Sequence, residues 1–245
     1  MTKARDLSLA AKAPIASPSF TGNVNVAGEQ LKLTGSSSQT YVAALNTGSG
    51  EAGFYMDASN GDLSGSDYAW IKQKNNLDVE IGSASLTNRH ILFSPDGSEK
   101  MRIHANGIVT KPFQPSFRAY MAQNAFTLAA DTKFPYNATE HNIGNYFNTS
   151  TNTFTAPVAG SYFFHFYTIV QAAVTNGHFA FTISGSSISK GKNVHFSKAN
   201  TGWNAVHHSG VFKLSTGTTV SVFNHSASQQ IHGNSWTSFS GYLIG

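Results

Sequence analysis

The stretch that decides the fold is NYFNTSTNTFTAPVAGSYFFHFY at Asn145–Tyr167, together with WTSFSGYLIG at Trp236–Gly245. In the first stretch a proline and a glycine end one alternating run, and a second alternating run begins at Ser161. Large rings occupy both sides of that second run, whereas a strand covered on one side only alternates apolar with polar residues. The pattern therefore predicts a long strand over residues 161–170 that is buried on both faces.

Three motifs in this half of the chain resemble one family. They are NATEHNIGNYFN at Asn137–Asn148, TFTAPVAGSYFF at Thr153–Phe164 and FSGYLI at Phe239–Ile244. In order and rough spacing they resemble the globular head of complement component one q, within the tumour-necrosis-factor-like superfamily. The resemblance covers residues from about 115 to 245 and implies an all-β head, a ten-stranded antiparallel jelly roll that assembles as a homotrimer. It implies binding rather than catalysis.

The ring-rich motifs also predict which side chains form the trimer core. These are Phe154, Tyr162, Phe164, Phe166, Trp236 and Tyr242. Alternation and turn residues predict nine strands in the head. They are residues 117–120, 133–137, 153–156, 161–170, 178–183, 192–197, 203–214, 218–224 and 235–244.

The N-terminal part carries a different resemblance. The run LAAKAPIASPSFTGNV at Leu9–Val24 resembles a segment that recurs in bacteriophage tail-fibre proteins ahead of a β-structured shaft. The run at Phe93–Pro112 resembles the hairpin that closes such shafts before the tip domain. We therefore predict a virion-docking segment (1–19), a β-rich stalk or adaptor (20–111) and the jelly-roll head (112–245). Docking is expected to use the apolar residues Leu7, Leu9, Ile15 and Phe20.

The predicted stalk consists of short alternating runs separated by turn residues. The runs are residues 31–33, 41–45, 53–56, 68–71, 77–81, 90–93 and 101–104. They can form a small sandwich in one chain, or three chains can pool them into one shared core. Pooling is favoured because so few large apolar side chains hardly offset the ordering entropy of a lone chain.

Composition excludes several classes of protein. The chain has no cysteine, so it has neither disulfides nor thiolate metal sites. No run approaches the ~18 apolar residues of a membrane span, and the N-terminus does not resemble a signal peptide. From residue 112 onward six Lys and Arg face two Asp and Glu. This surplus suits an anionic envelope polysaccharide or simply keeps one edge soluble, and without a basic stripe we expect no nucleic-acid partner.

Receptor binding needs rings and amides at exposed loops, since a sugar stacks its apolar face on a ring and hydrogen-bonds at its rim. Two stretches of the head suit that role, one around Trp203 and one over residues 224–234. The predicted receptor-binding residues are Trp203, Asn204, Asn224, His225, Gln229, Gln230, His232 and Asn234. For Trp203 the alternative is a ring that opens a strand and packs inward.

We predict neither a cofactor nor a metal. Eight of the ten histidines lie in the head, and subunit packing is the simpler role for them. If the trimer axis did gather a metal, His195, His208 or His225 would be its ligands. Calcium prefers clustered carboxylates, and the head offers only Asp131 and Glu140.

An enzymatic function, that of a capsule depolymerase, is the alternative to a binding function. Such an enzyme needs two carboxylates placed across a glycosidic bond. The acids available for it are Asp57, Asp62, Asp67, Asp78 and Glu80. The first three stand in turn-like sequence, where Asp is favoured for local reasons, and the serine-hydrolase motif G-x-S-x-G is absent. We therefore predict that the protein is not an enzyme.

Together these features predict a trimeric tail fibre in the phage virion. Its N-terminus would dock on other tail proteins, and its tip would bind a glycan or protein of the host surface. A neck, capsid or tail fibre without receptor binding remains an alternative. A secreted bacterial adhesin or signalling ligand fits less well with the segment at Leu9–Val24.

Overall fold

The computed structural model describes residues 43–57, 65, 67–84, 89–172, 176–185, 192–197 and 202–245. The described elements are strands and turns, and the strand pairings among them are antiparallel. The predicted all-β class is thus confirmed. Among these residues no helix is long and apolar enough to cross a membrane. By its contacts the chain divides into a unit ending at Ala84 and a unit beginning at Ser85.

The first unit contains one three-stranded sheet. Its strands, in spatial order, are β1 (Ala52–Asp57), β2 (Tyr68–Gln73) and β3 (Val79–Ser83). The register sets Phe54, Ile71 and Ile81 side by side on one face. The opposite face combines aromatic rings with charged groups. Tyr68 contacts the Trp70 ring at 5.7 Å between centroids, and Trp70 Nε1 donates to Glu80 Oε1 at 2.7 Å. The docking residues Leu7, Leu9, Ile15 and Phe20 and the predicted strand at 31–33 lie outside the described residues.

The second unit opens with another three-stranded sheet, followed by the head. The sheet comprises β4 (Ile91–Phe93), β5 (Met101–Ile103) and β6 (Val109–Thr110). Among the described residues, thirteen strands build the head. They are β7 (Ser116–Tyr120), β8 (Phe126–Leu128), β9 (Thr132–Lys133), β10 (Ala138–Ile143), β11 (Phe147–Asn148), β12 (Thr153–Thr155), β13 (Gly160–Ala172), β14 (Gly177–Ile183), β15 (Asn193–Phe196), β16 (Asn204–Leu214), β17 (Thr219–Asn224), β18 (Gln229–Ile231) and β19 (Ser238–Leu243).

The head is a two-layer sandwich of jelly-roll type. One sheet runs β10-β7-β19-β13-β18-β8, with β16 also paired to β13, and the other runs β11-β12-β17-β14-β15, with β9 paired to β17. Phe117 of the first sheet stacks on Phe154 of the second at 5.1 Å between ring centroids. Phe166 meets Phe181 edge-on, also at 5.1 Å. Each fully buried ring stabilises the fold by roughly 1.5–3 kcal/mol, so these aromatic contacts dominate the core.

Strand β13 differs from its prediction in one respect. Its inward side chains, including Phe164 and Phe166, are fully buried. Its outward side chains Phe163, His165 and Tyr167 are only half-buried. Ile169, in the same outward row, is buried, but no second layer among the described residues covers the three rings. The expectation of two buried faces is therefore wrong for most of the strand in a single chain.

A second difference lies between β9 and β10. The strand predicted over 133–137 is wrong, although its rings Phe134 and Tyr136 are fully buried. Residues 134–137 connect the six-stranded sheet to the seven-stranded sheet, and the Phe134 N–H donates to the Val222 carbonyl at 3.0 Å. A segment that passes between two layers points alternate rings into the core without pairing as a strand.

Candidate binding surfaces

Three aromatic side chains meet at one end of the head. We call Trp203, His232 and Trp236 the aromatic cluster. The His232 ring centroid lies 4.2 Å from that of Trp203 and 6.0 Å from that of Trp236. Trp203 is 57% exposed and Trp236 is 52% exposed. The two indoles thus present large apolar surfaces to solvent from a single site.

The register of β13 brings the cluster together. Val170 pairs with Asn204 on one side and with Ile231 on the other. The neighbours of these partners, Trp203 and His232, therefore arrive at the same end of β13 from opposite sides. The chain enters the head at the other end of the sandwich, where the Leu243 N–H donates to the Pro115 carbonyl at 3.0 Å. The aromatic cluster is thus remote from the entry point.

A rigid turn holds Trp236 in place. Asn234 N–H donates to the Gln123 carbonyl at 2.7 Å, and Ser235 N–H donates to the Met121 carbonyl at 2.9 Å. Asn234 and Ser235 have φ of 52° and 68°, in the left-handed region that side chains other than glycine seldom adopt. Gly233 is required because a Cβ there would lie 1.8 Å from the Gln123 carbonyl oxygen.

Two predicted receptor-binding residues are structural instead. Asn224 is fully buried, and its Nδ2 lies 3.3, 3.0 and 3.2 Å from the carbonyl oxygens of Leu128, Ala129 and Ala227. Its Oδ1 accepts from the Ser226 N–H and hydroxyl. Gln229 is likewise buried, within β18. The predictions for Asn224 and Gln229 are therefore corrected, because a side chain with no exposed surface cannot contact a receptor.

His225 belongs to a group of histidines on the six-stranded sheet and its edge. The His178 ring stacks on His195 at 4.2 Å and lies 5.5 Å from His225. His225 Nδ1 lies 3.6 Å from the Asp131 carboxylate. Burial, and then the neighbouring charges of His195 and His225, lower the pKa of His178. A charge on His178 is therefore disfavoured at this position.

The remaining predicted receptor-binding residues are accessible to different degrees. Gln230 is exposed on β18 and lines a shallow depression of about 280 Å³ with Phe126 and Thr127. Asn234 is exposed in the turn, and Asn204 is half-buried at the start of β16. Together with Trp203 and His232, these three residues form a candidate receptor-binding surface centred on the aromatic cluster. Whether this surface binds a receptor stays a prediction.

Most of the predicted trimer-core residues lie inside one chain. Phe154, Tyr162, Phe164 and Phe166 are at most 1% exposed, so they leave no surface for a second subunit. The prediction for these four residues is therefore corrected: they belong to the core of the sandwich within one chain. Tyr242 is 48% exposed and remains available to a partner chain, and Trp236 belongs to the aromatic cluster.

The surface that a second subunit can cover lies on the outward side of the seven-stranded sheet. Strand pairing aligns Phe163 with Val211 on one side and with Tyr242 on the other. We call Phe163, Tyr167, Val211 and Tyr242 the outer head face. Val211 and Tyr242 are about half-exposed, and the two rings of β13 are half-buried. The alternation of large rings along β13 was the sequence signal for this face.

The sheet of the first unit has a comparable apolar side. Phe54, Met56, Ile71, Val79 and Ile81 each keep close to half or more of their surface exposed, and we call them the stalk face. The other side of the same sheet is satisfied by polar contacts, among them an ion pair of 2.7 Å between Lys72 and Glu51. An exposed apolar row of this kind is a surface that a partner chain can cover.

Two of the acids considered for catalysis make local contacts in the first unit. Hydrogen bonding from Trp70, and then the contacts of Lys74 and Lys72, lower the pKa of Glu80, which disfavours a general acid at neutral pH. Asp78 accepts a 2.7 Å hydrogen bond from Asn76 in a turn, and Asp62 lies outside the described residues. Among the residues that are described, no three His, Asp or Glu side chains are grouped to hold a metal ion.

Comparison with known families decides the classification of the head. The sequence profile of the C1q domain matches residues 116–244, which is more than half of the chain. The chain belongs to the C1q domain family. Domains of the C1q and tumour-necrosis-factor-like type are generally binding modules that commonly work as trimers, and no catalytic family is indicated.

Solved structures were compared as well. The globular domain of the zebrafish complement 1qA protein is 17% identical, with a TM-score of 0.46, and the match covers 54% of this chain and 98% of that one. Eiger TNF from S. frugiperda is 7% identical, with a TM-score of 0.45 over 54% and 93% of the two chains. Murine APRIL is 10% identical, with a TM-score of 0.43 over 54% and 99%. A search of curated proteins found no match.

Proposed function

We propose that this protein is a trimeric bacteriophage tail fibre whose C1q-domain tip binds the surface of the host cell. In this proposal the N-terminal segment, with Leu7, Leu9, Ile15 and Phe20, docks on other tail proteins of the virion. The β-rich stalk carries the head, and the aromatic end of the head faces the host. Three equivalent weak sites would combine by avidity into firm adsorption.

The observation that supports a trimer is a pair of exposed apolar surfaces in one chain. Contiguous exposed apolar patches of this kind mark protein interfaces. On the outer head face, Phe163, Val211 and Tyr242 form one row across three neighbouring strands. On the stalk face, Phe54, Ile71 and Ile81 form another such row. Covering each face with copies of itself stabilises both without any foreign partner, as in an obligate homo-oligomer.

The phage context rests on two resemblances within the chain. Leu9–Val24 resembles a recurrent tail-fibre segment, and Phe93–Pro112 resembles the hairpin that closes a fibre shaft. The second of these stretches begins at the last residue of β4 and contains β5 and β6, directly before the head. The position of the aromatic cluster, remote from Pro115 where the chain enters, supports host contact at the free end of a fibre. Envelope polysaccharide is the expected receptor.

The trimer is tested by replacing Val211 with Asp and measuring mass by sedimentation. Val211 is 58% exposed on the outer head face, where a charge would be buried between subunits at high cost. The wild-type chain should sediment at three times 26.2 kDa, and V211D should lose the trimer. The matched control is V158D, since Val158 is also about half-exposed but lies outside that face. A wild-type monomer, or an intact V211D trimer, would refute this assembly.

Host contact is tested by competition. Purified wild-type trimer should reduce the adsorption of a phage that carries this fibre, whereas dissociated V211D should compete poorly. A trimer that leaves adsorption unchanged at saturating concentration would favour a structural fibre without receptor binding.

A further inference from the structure

The aromatic cluster has an unusual combination of exposure and rigidity. Trp203 and Trp236 keep more than half of their surface exposed, although indoles usually bury their rings and satisfy their N–H groups. Trp70 illustrates the usual case, since its N–H donates to Glu80. Within the described part of the chain, neither Trp203 nor Trp236 has a hydrogen-bond acceptor for its indole N–H. Two ring faces and two donors are thus free at one site.

The backbone beneath Trp236 is fixed in a strained form. Asn234 and Ser235 are consecutive residues with positive φ, and such strain persists only where the surroundings impose it. Here the surroundings include the hydrogen bond from Trp236 N–H to the Gly233 carbonyl at 3.2 Å, and one from the Thr237 hydroxyl to the His232 carbonyl at 2.7 Å. Strained, over-determined backbone is concentrated at ligand-binding sites. The turn therefore presents Trp236 with little entropy left to lose on binding.

His232 supplies a polar group of defined type. Its Nδ1 lies 3.0 Å from the Gly233 carbonyl oxygen. A carbonyl only accepts hydrogen bonds, so Nδ1 carries the proton and the neutral ring keeps Nε2 as an acceptor. An imidazole acceptor beside two indole donors suits a ligand whose hydroxyl groups both donate and accept.

The described segments around the cluster contain no charged side chain. Residues 121–128, 202–212 and 226–245, which supply the cluster and its neighbours, contain no Asp, Glu, Lys or Arg. The polar groups there are amides and hydroxyls, including exposed Gln123, Asn124 and Asn234. A neutral, hydroxyl-rich ligand matches these described segments, whereas an anionic ligand would find no counter-charge within them.

We propose that Trp203, His232 and Trp236 form a carbohydrate platform that binds the apolar ring face of an uncharged pyranose in a polysaccharide chain. This inference rests on the proposed host-binding function and names its ligand class. The indoles cover the C–H face of the sugar, while the indole N–H groups and His232 Nε2 bond its hydroxyl groups.

The test applies the full-length trimer to an array of neutral and acidic bacterial polysaccharides, followed by calorimetric titration with the best neutral oligosaccharide. Binding should concentrate on neutral glycans. W203A and W236A should each raise Kd about tenfold, the loss expected when one ring stacked on a planar ligand face is removed. W203F should retain most of the affinity, and F113A, which removes a similarly exposed ring elsewhere, should change nothing. All variants are checked for mass by gel filtration.

Three outcomes would overturn the platform. They are binding confined to acidic glycans, unchanged affinity in both W203A and W236A, and loss of the trimer in either variant, which would make that ring a subunit contact. Sedimentation with host cells separates this failure from failure of the proposed function. Wild-type trimer that binds cells but no glycan refutes only the platform, whereas trimer that binds neither refutes both.

Discussion

Replacing Asn224 tests whether this residue supports the fold or contacts a receptor. Its buried amide lies within hydrogen-bond distance of three carbonyl oxygens, from Leu128, Ala129 and Ala227, with its two protons shared among them. Its Oδ1 accepts two further hydrogen bonds from Ser226. Asn224→Ala removes all of these and strands buried carbonyls, each costing about 1–3 kcal/mol where water cannot replace the amide.

If one or two of these carbonyl oxygens are left without a hydrogen-bond donor from the protein or from water, the expected loss in the free energy of unfolding is about 3 kcal/mol. For a head of this size that lowers Tm by roughly 10 °C. Differential scanning calorimetry at one fixed protein concentration measures it, because the stability of an oligomer depends on concentration. Asn124→Ala is the control, since Asn124 is exposed. An N224A variant as stable as N124A would refute the structural role.

Asn224→Asp separates hydrogen bonding from shape. The carboxylate has the same outline but places an oxygen against the carbonyls that now accept from Nδ2, so burial without a donor raises the pKa of the new acid. When an Asp has a raised pKa in the folded state, the protein loses stability as pH rises above about 3.9, the pKa of Asp in the unfolded chain. The Tm deficit of N224D relative to wild type should therefore be larger at pH 7 than at pH 4. An equal deficit at both values would contradict this.

Three further predictions concern the turn, the core and the histidines. Gly233→Ala forces a methyl group against the Gln123 backbone and should cost at least ~2 kcal/mol of stability while weakening any ligand contact of the aromatic cluster. Phe164→Ala, at a fully buried ring, should cost about 3–5 kcal/mol. Burial lowers the pKa of His178 in the folded state, so on acidification His178 is protonated in the unfolded chain before it is protonated in the folded one. The free energy of unfolding should therefore fall as pH drops through about 6.5. His178→Phe should flatten that pH dependence.

Each of these has a simple check. Thermal melts of Gly233→Ala and Phe164→Ala alongside wild type give the two stability losses. Phe113→Ala is the control for the core variant, because that ring is largely exposed and lies outside the outer head face, so its removal should cost much less folding stability. A Gly233→Ala variant with wild-type Tm would show that the turn relaxes. Melts of His178→Phe between pH 7.5 and 5 that parallel wild type would remove His178 as the cause of the pH dependence.

The sequence was sufficient for the elements whose pattern is local. The alternation of rings along β13 predicted its position to within two residues at each end, although it did not show which face points into the single-chain core. The motifs around it predicted the jelly roll. Asn224 and Gln229 were misjudged because polar residues in a Ser- and Asn-rich stretch resemble an exposed loop. What buries Asn224 is a set of carbonyls from Leu128 and Ala129, about a hundred residues earlier in the chain, which no local pattern reveals.

The candidate site shows the same limit. Trp203 and His232 are distant in sequence and meet only because Asn204 and Ile231 both pair with Val170. Sequence reasoning selected both residues from their type and setting. It assigned Trp236 to the trimer core, since ring content alone does not distinguish a buried face from an exposed turn. The alternation of Phe163 and Tyr167 was visible, but only the register with Val211 and Tyr242 defines the outer head face.

The most direct test of the account is co-sedimentation of the full-length protein with cells from a panel of candidate bacterial hosts. The account predicts that wild-type trimer pellets with the cells of at least one host and that dissociated V211D stays largely in the supernatant, while V158D behaves as wild type. Wild-type trimer that remains in solution with every host, or V211D monomer that pellets as well as the trimer, would contradict a trimeric, avidity-based host-binding tip.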